Sequence, residues 1–380
     1  MNLPSPAFHF CTGNQLIAEG AVAAGCRFFA GYPITPASGI YKRMIELLPE
    51  RGDVAISAPD EISALAYCVG ASMRGFKTMT ATSGPGWALM IETVQYALMT
   101  ETPVVIAVVQ RLGPSTGGAT QGAQGDILLT EFCTSGGYTL PVLYPSTPAE
   151  CFELTMEAFS IAETLRSPVI LLCDKEMGMT SESVDVNSLK YASRIERKKY
   201  NGFTTETNEW KTYGFERREE IPTFAPVGEK QKVTITGSAH NQEGKLKKND
   251  RETLDVLYHL EEKIVAKKEQ LSFTKLDKEE KAKTLVISFG ITARTMKQAV
   301  RDARLNGKKV SSLTIQSLFP IPEKAIRAAA EGVTRVVIAE ENMNGQYRSV
   351  LYPVLQGKEI LGVNKIGSMI TPNEIEHSIL

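Results

Sequence analysis

Histidine is scarce and poorly spaced for metal binding: the four residues, His9, His240, His259 and His377, form no H-x-x-x-H or H-E-x-x-H pattern, so a histidine metal site has little support. The six cysteines, Cys11, Cys26, Cys68, Cys133, Cys151 and Cys173, contain no C-x-x-C. That spacing argues against an iron-sulfur cluster or structural zinc in this chain and predicts buried free thiols in a reducing cytoplasm. G-x-x-x-x-G-K-[ST] and G-x-G-x-x-G are both missing, which leaves no independent nucleotide phosphate cradle. No apolar run reaches the roughly 18 residues of a membrane span, and the N-terminal segment lacks the basic start and unbroken apolar stretch of a secretory leader. Charge of one sign is also missing. Against 42 Lys plus Arg stand 43 Asp plus Glu, so no basic surplus points to nucleic acid or an anionic membrane.

What is present is an ordinary globular composition, 43% hydrophobic and 22% charged, over 380 residues, enough for two or three domains with real cores. In the first half, β-rich runs at 27–33, 54–60, 77–83, 103–110, 140–145 and 167–174 alternate with helical patterns. This alternation predicts βαβ units around a parallel sheet covered on both faces. A second, smaller α/β set begins at Thr284, with strands at 284–290, 308–316 and 335–341. The expected division is therefore a first α/β domain over 1–183, a connector rich in Lys, Arg and Glu over 184–283, and a second α/β domain over 284–380. Within the connector, Leu254, Leu257, Glu261 and Ile264 follow helical spacing and predict an exposed or domain-bridging helix.

Ligands of open parallel sheets bind beyond the carboxyl ends of the strands, so the residues after each run carry the most information. Four successive strand ends read YPITPAS (32–38), PDE (59–61), TSGPG (82–86) and QRLGPSTGG (110–118). Glu61 opens a helix of small and apolar residues. It can complement the helix dipole in the first turn, or serve as a partly buried carboxylate that hydrogen-bonds a heteroaromatic nitrogen. Gly84 and Gly86 around Pro85 allow a flat ligand to approach the backbone of Thr82 and Ser83, and they equally make a good strand-to-helix turn. Arg111 suits bidentate carboxylate recognition or an inter-domain or subunit salt bridge. Thr35 offers a rigidly held hydroxyl and amide between Pro33 and Pro36, or an N-cap for the helix that follows.

Together, GYPITPAS, PDEISALAYCVGAS, MTATSGPGWALMIE and VVQRLGPSTGGATQGAQGD, with the later SAHNQEGK and AEENMNGQYRSVL, resemble the alpha subunit of the 2-oxoacid:ferredoxin oxidoreductases. The text around QRLGPSTG is closest to the 2-oxoglutarate and branched-chain types. The resemblance runs through almost the whole chain. It implies that residues 1–183 form a pyrimidine-type thiamine diphosphate domain and 284–380 a domain like the transketolase C-terminal domain. RGD (51–53) and QGD (124–126) lack the second glycine of the family's G-D-G, so the resemblance implies half a cofactor site. A beta subunit would then bring Mg2+, the diphosphate site and a 4Fe-4S cluster, with gamma or delta subunits as further possibilities.

The implied activity is oxidative decarboxylation of a 2-oxoacid, 2-oxoglutarate favoured, to acyl-CoA and CO2, with coenzyme A as co-substrate and ferredoxin as electron acceptor, or the reverse. Pyruvate and branched-chain 2-oxoacids stay open, as does a non-catalytic assembly or regulatory subunit. By resemblance Glu61 binds the pyrimidine and sets its tautomer, Thr35 and Arg111 meet the substrate, and Thr82, Ser83, Gly84, Pro85 and Gly86 lie beside the cofactor ring. Ser115, Thr116, His240, Asn344 and Arg348 carry less secure assignments. The chain departs from longer relatives in showing no fused gamma domain.

Overall fold

The computed structural model describes residues 7–202 and 210–379. Residues 203–209 of the expected connector lie outside the described residues. Fourteen strands occur among the described residues: β1 (Phe8–Thr12), β2 (Phe28–Gly31), β3 (Val54–Ser57), β4 (Thr78–Thr82), β5 (Val104–Gln110), β6 (Val142–Leu143), β7 (Pro168–Asp174), β8 (Ser181–Asp185), β9 (Thr274–Asp277), β10 (Thr284–Phe289), β11 (Val310–Ile315), β12 (Ser317–Phe319), β13 (Arg335–Glu340) and β14 (Glu359–Asn364). The first sheet has the order β12-β6-β7-β5-β4-β2-β3, and the second β14-β13-β10-β11-β9. A two-stranded antiparallel ribbon joins β1 to β8.

The first sheet is parallel from β6 through β3. Its central strand β5, VVIAVVQ, is buried along its whole length. Successive side chains of a strand face opposite sides, and β5 shows it. Val105, Ala107 and Val109 enter a core with Leu16, Ile17, Phe152 and Phe159 from the helices Gly13–Ala23 and Pro148–Leu165. Val104, Ile106 and Val108 enter another core that also contains Leu285, Ile287 and Phe289 of β10. One apolar cluster therefore spans both sheets. The two are further tied by β12, which follows β11 with only Gln316 between them and pairs antiparallel with β6.

Every strand expected from the sequence is present within a few residues. The helix Arg251–Val265 also forms, capped by the Asp250 side chain on Thr253 N at 2.8 Å, but its buried face differs from the expected stripe. Leu254 is exposed, whereas Val256, His259, Leu260, Lys263 and Ile264 are buried. Polar residues occupy that face because Glu101 receives them: Lys263 Nζ donates to Glu101 Oε2 at 2.7 Å, and His259 Nε2 lies 3.1 Å from the same oxygen. All six cysteines are buried and unbridged. Among the described residues, no helix is long and apolar enough to cross a membrane.

Candidate functional site

Glu61 begins the helix Glu61–Met73, but it does not cap it. Asp60 takes that role, accepting from Ser63 N at 2.7 Å. Relieved of capping, the Glu61 side chain is only 7% exposed, and among the described residues no hydrogen bond or ion pair engages its carboxylate. It lies against the turn that follows β4. A Cβ placed on Gly86 would stand 2.6 Å from Glu61 Cγ, 2.7 Å from Glu61 Oε1 and 2.1 Å from Thr82 Oγ1. Only glycine permits this approach. Beside them Ser83 is fully buried, its Oγ without a hydrogen-bond partner among the described residues.

On the other side of the same turn, Gly84 and Pro85 line a cleft of about 680 Å³. Arg111, at the end of β5, and Ser115 form another wall, and Asn342, Met343 and Gln346 from beyond β13 close it from the second sheet. Arg111 is 7% exposed; its Nη1 donates to the Thr35 carbonyl at 2.7 Å, while Nε is enclosed without a partner among the described residues. Thr35 thus touches Arg111 through its backbone. It is not an N-cap: the helix Ser38–Glu50 starts after Ala37 with no side-chain capping bond. The structure therefore brings Glu61, Thr82 and Gly86 into one contact and Thr35 and Arg111 into another, with the 84–86 turn between the first contact and the cleft.

Asp126 is a cleft residue that sequence reasoning missed. Burial pushes its carboxyl up to about 6, with the Arg111 charge pulling the other way. A polar network backs it. Gln110 accepts from Asp126 N at 2.9 Å and donates to Tyr144 Oη at 2.6 Å, and Tyr144 Oη donates to Asp174 Oδ1 at 2.7 Å. Asp174 Oδ2 accepts from Ile291 N at 2.6 Å, so the network crosses into the second sheet's helix Thr292–Leu305. Gln124 adds a second crossing, donating to Asp174 Oδ1 at 2.9 Å and accepting from Glu341 N at 2.9 Å. Burial pushes Asp174 up to about 6 and, with Asp174 as a like-charged neighbour, Glu341 up to about 7. The glycine-rich QGD text hid these roles, because Arg111 and Asp126 are far apart in the sequence and share the cleft only in the folded chain.

Of the less secure residues, Ser115 lines the cleft at φ +55°. His240 is fully buried, stacked 4.2 Å from Tyr213 with Nδ1 2.8 Å from the Asn241 carbonyl, which makes it a packing residue. Arg348 donates to Asn364 Oδ1 at 3.0 Å and to the Asn344 carbonyl at 3.3 Å.

Residues 19–258 match the family described as pyruvate flavodoxin/ferredoxin oxidoreductase, thiamine diP-bdg, and 282–372 match pyruvate:ferredoxin oxidoreductase core domain II. The chain is 36% identical over 374 residues to 2-oxoglutarate synthase subunit KorA of Methanothermobacter thermautotrophicus, covering 98% of each. It is 30% identical over 355 residues to ketoisovalerate oxidoreductase subunit VorB of Methanothermobacter marburgensis, covering 93% of this chain and 92% of that one. Among solved structures, it resembles 2-oxoglutarate:ferredoxin oxidoreductase from Magnetococcus marinus, solved with 2-oxoglutarate, coenzyme A and succinyl-CoA bound, at a TM-score of 0.89 and 27% identity. That match covers 98% of this chain and 64% of the other. A split-gene transketolase shares the fold at a TM-score of 0.57 and 14% identity. The chain belongs to the 2-oxoacid:ferredoxin oxidoreductases, as an alpha-type subunit.

Proposed function

We propose that this chain contributes the pyrimidine half of a thiamine diphosphate site to a heteromeric enzyme that converts a 2-oxoacid, 2-oxoglutarate first among them, to acyl-CoA and CO2. The observation that carries this reading is Glu61: a buried carboxylate, uncommitted among the described residues, packed against Gly86 where only a glycine fits. Such a group fits an aminopyrimidine, whose ring nitrogen carries a proton in the imino tautomer and shares it with the carboxylate. The chemistry that cofactor supplies when bound is nucleophilic addition to the ketone and temporary storage of the electron pair left behind by CO2.

The chain's own part is positional and electrostatic. Glu61 accepts a hydrogen bond at the ring nitrogen and thereby sets the tautomer. The backbone from Thr82 through Ser83, Gly84, Pro85 and Gly86 lets the ring lie close. Arg111, whose side chain lines the cleft, binds the substrate carboxylate, and Thr35 holds the guanidinium through its carbonyl while offering its hydroxyl. The apolar walls, Leu89, Leu129 and Met343, stand exposed and would exclude water once a partner closes over them. In the overall reaction the 2-oxoacid and the CoA thiol give thioester, CO2 and one proton, and two electrons pass singly to ferredoxin. A beta subunit holding Mg2+, the diphosphate and a 4Fe-4S cluster completes the site, since this chain carries neither a G-D-G nor a C-x-x-C. Six unbridged buried thiols suit a reducing cytoplasm.

The test is Glu61→Gln in a complex reconstituted with the beta subunit. Assembly should persist while CoA-dependent, 2-oxoacid-driven reduction of a low-potential acceptor falls by roughly 10²–10⁴. Unchanged turnover would remove Glu61 from the reaction. A panel of 2-oxoglutarate, pyruvate and 2-oxoisovalerate in the same assay ranks the substrates.

A further inference from the structure

Among the described residues, the cleft beside Gly84 is lined by only two charged side chains, Arg111 and Asp126. Each turns one fully enclosed polar atom, Arg111 Nε and Asp126 Oδ2, to a place where no partner meets it among the described residues. Asp126 is held firmly there. Its backbone N–H is bonded to Gln110, the residue before Arg111, and its carbonyl accepts from Thr130 N at 3.0 Å. Its carboxylate presses on Gly84, where a Cβ would stand 3.0 Å from Oδ2 and 3.1 Å from Oδ1. Two opposite charges thus share a mostly apolar cleft.

We propose that Asp126 is the protonatable partner of Arg111: when a substrate carboxylate docks on Arg111, Asp126 takes up one proton and donates it as a hydrogen bond to that carboxylate. The proposal rests on the assignment of Arg111 to the substrate carboxylate. Its reason is like-charge repulsion. Two ionised carboxylates at one guanidinium in an apolar cleft favour neutralisation of one of them. The keto group makes the substrate the stronger acid, so the proton goes to Asp126. Burial already brings this carboxyl up to about 6, with Arg111 opposing, before any second anion arrives. Of the other acids on elements packed around it, Glu61, Glu131, Glu340 and Glu341, none lines the cleft. The proton comes from solvent on binding and returns to solvent once CO2 has carried the carboxylate carbon away.

The experiment measures kcat and KM for the 2-oxoacid from pH 5.5 to 8.5 in the complex with the beta subunit. In the wild type, kcat/KM should fall about tenfold per pH unit above a break near pH 6. The fall should reside in KM, because kcat reports a complex in which Asp126 already holds its proton. Asp126→Asn keeps a hydrogen-bond donor without a titrating group, so its profile should be flat across the same range. An unaltered falling limb in Asp126→Asn overturns the proposal. So does a wild-type profile with no break near pH 6, a result that stands even where the variant fails to assemble. Absence of turnover with every 2-oxoacid in the wild-type complex would instead strike the parent reading of the site.

Discussion

Gly86 and Glu61 are matched by shape: the position of a β-carbon on residue 86 lies 2.7 Å from Glu61 Oε1, inside the closest approach that real side chains make. Gly86→Ala must therefore move Glu61, Thr82 or the turn itself. The expected outcome is a loss of turnover approaching that of Glu61→Gln, with a stability cost of about 1–3 kcal/mol from overpacking. Denaturation midpoints and acceptor reduction, measured on the same complex, separate the two effects. Wild-type activity in Gly86→Ala would show that the contact is irrelevant to the reaction.

Lys263 is a stability residue hidden in a charged-looking helix. Against the opposing effect of burial, its fully buried ammonium is the foremost of the charges that hold the Glu101 carboxyl well below the usual range. Removing it in Lys263→Met leaves Glu101 enclosed with His259 and the nearby Arg166 charge in partial compensation. Chemical denaturation should show a loss of about 3–5 kcal/mol, the usual result of breaking a buried pair from one side. The double variant with Glu101→Gln should recover part of it. A loss no larger than that of an exposed lysine would mean that Glu101 is compensated by its other partners alone.

Asp174 and Glu341 give the joint between the sheets a pH dependence of known sign. Both carboxyls sit higher in the folded chain, at about 6 and about 7, than the roughly pH 4 of unfolded carboxyls. The folded state therefore binds more protons across that window, and stability contributed by these groups is present below about pH 4 and lost as pH rises through 6 to 7. Glu101, with its depressed carboxyl, acts oppositely but only at more acid pH. Thermal unfolding should occur at lower temperature at pH 8 than at pH 5. Asp174→Asn should shrink that difference while costing about 1–3 kcal/mol at acid pH, since one amide oxygen cannot serve Ile291 N, Tyr144 and Gln124 together. An undiminished pH difference in the variant would place its origin elsewhere.

The parallel sheet was legible because its strands are short apolar runs, and β5, buried on both faces, has no polar residue before Gln110. The edge strands β9 and β12 were not. β9 reads TKLD, with three of its four residues exposed, and β12 is three residues long. The helix at Arg251–Val265 was expected with the wrong face inward because Lys263 and His259 look like solvent residues. Their partner Glu101 lies 162 and 158 residues away, beyond any local pattern. At the candidate site, the strand-end residues stood out because the connection of parallel strands places functional groups there. Asp126 did not, because its character comes from Gly84, Gln110 and Arg111 meeting around it, which only the folded chain arranges.

The segment from Val310 to Phe319 runs out of one sheet and straight into the rim of the other, with Tyr144 N donating to the Gln316 carbonyl at 2.8 Å on the way. A clamshell motion that carried Asn342 and Gln346 away from Arg111 would have to unzip β12 from β6 and tear Ile291 N from Asp174. The rear wall of the gorge is thus stiff by topology. Reactants must therefore enter and leave through its mouth.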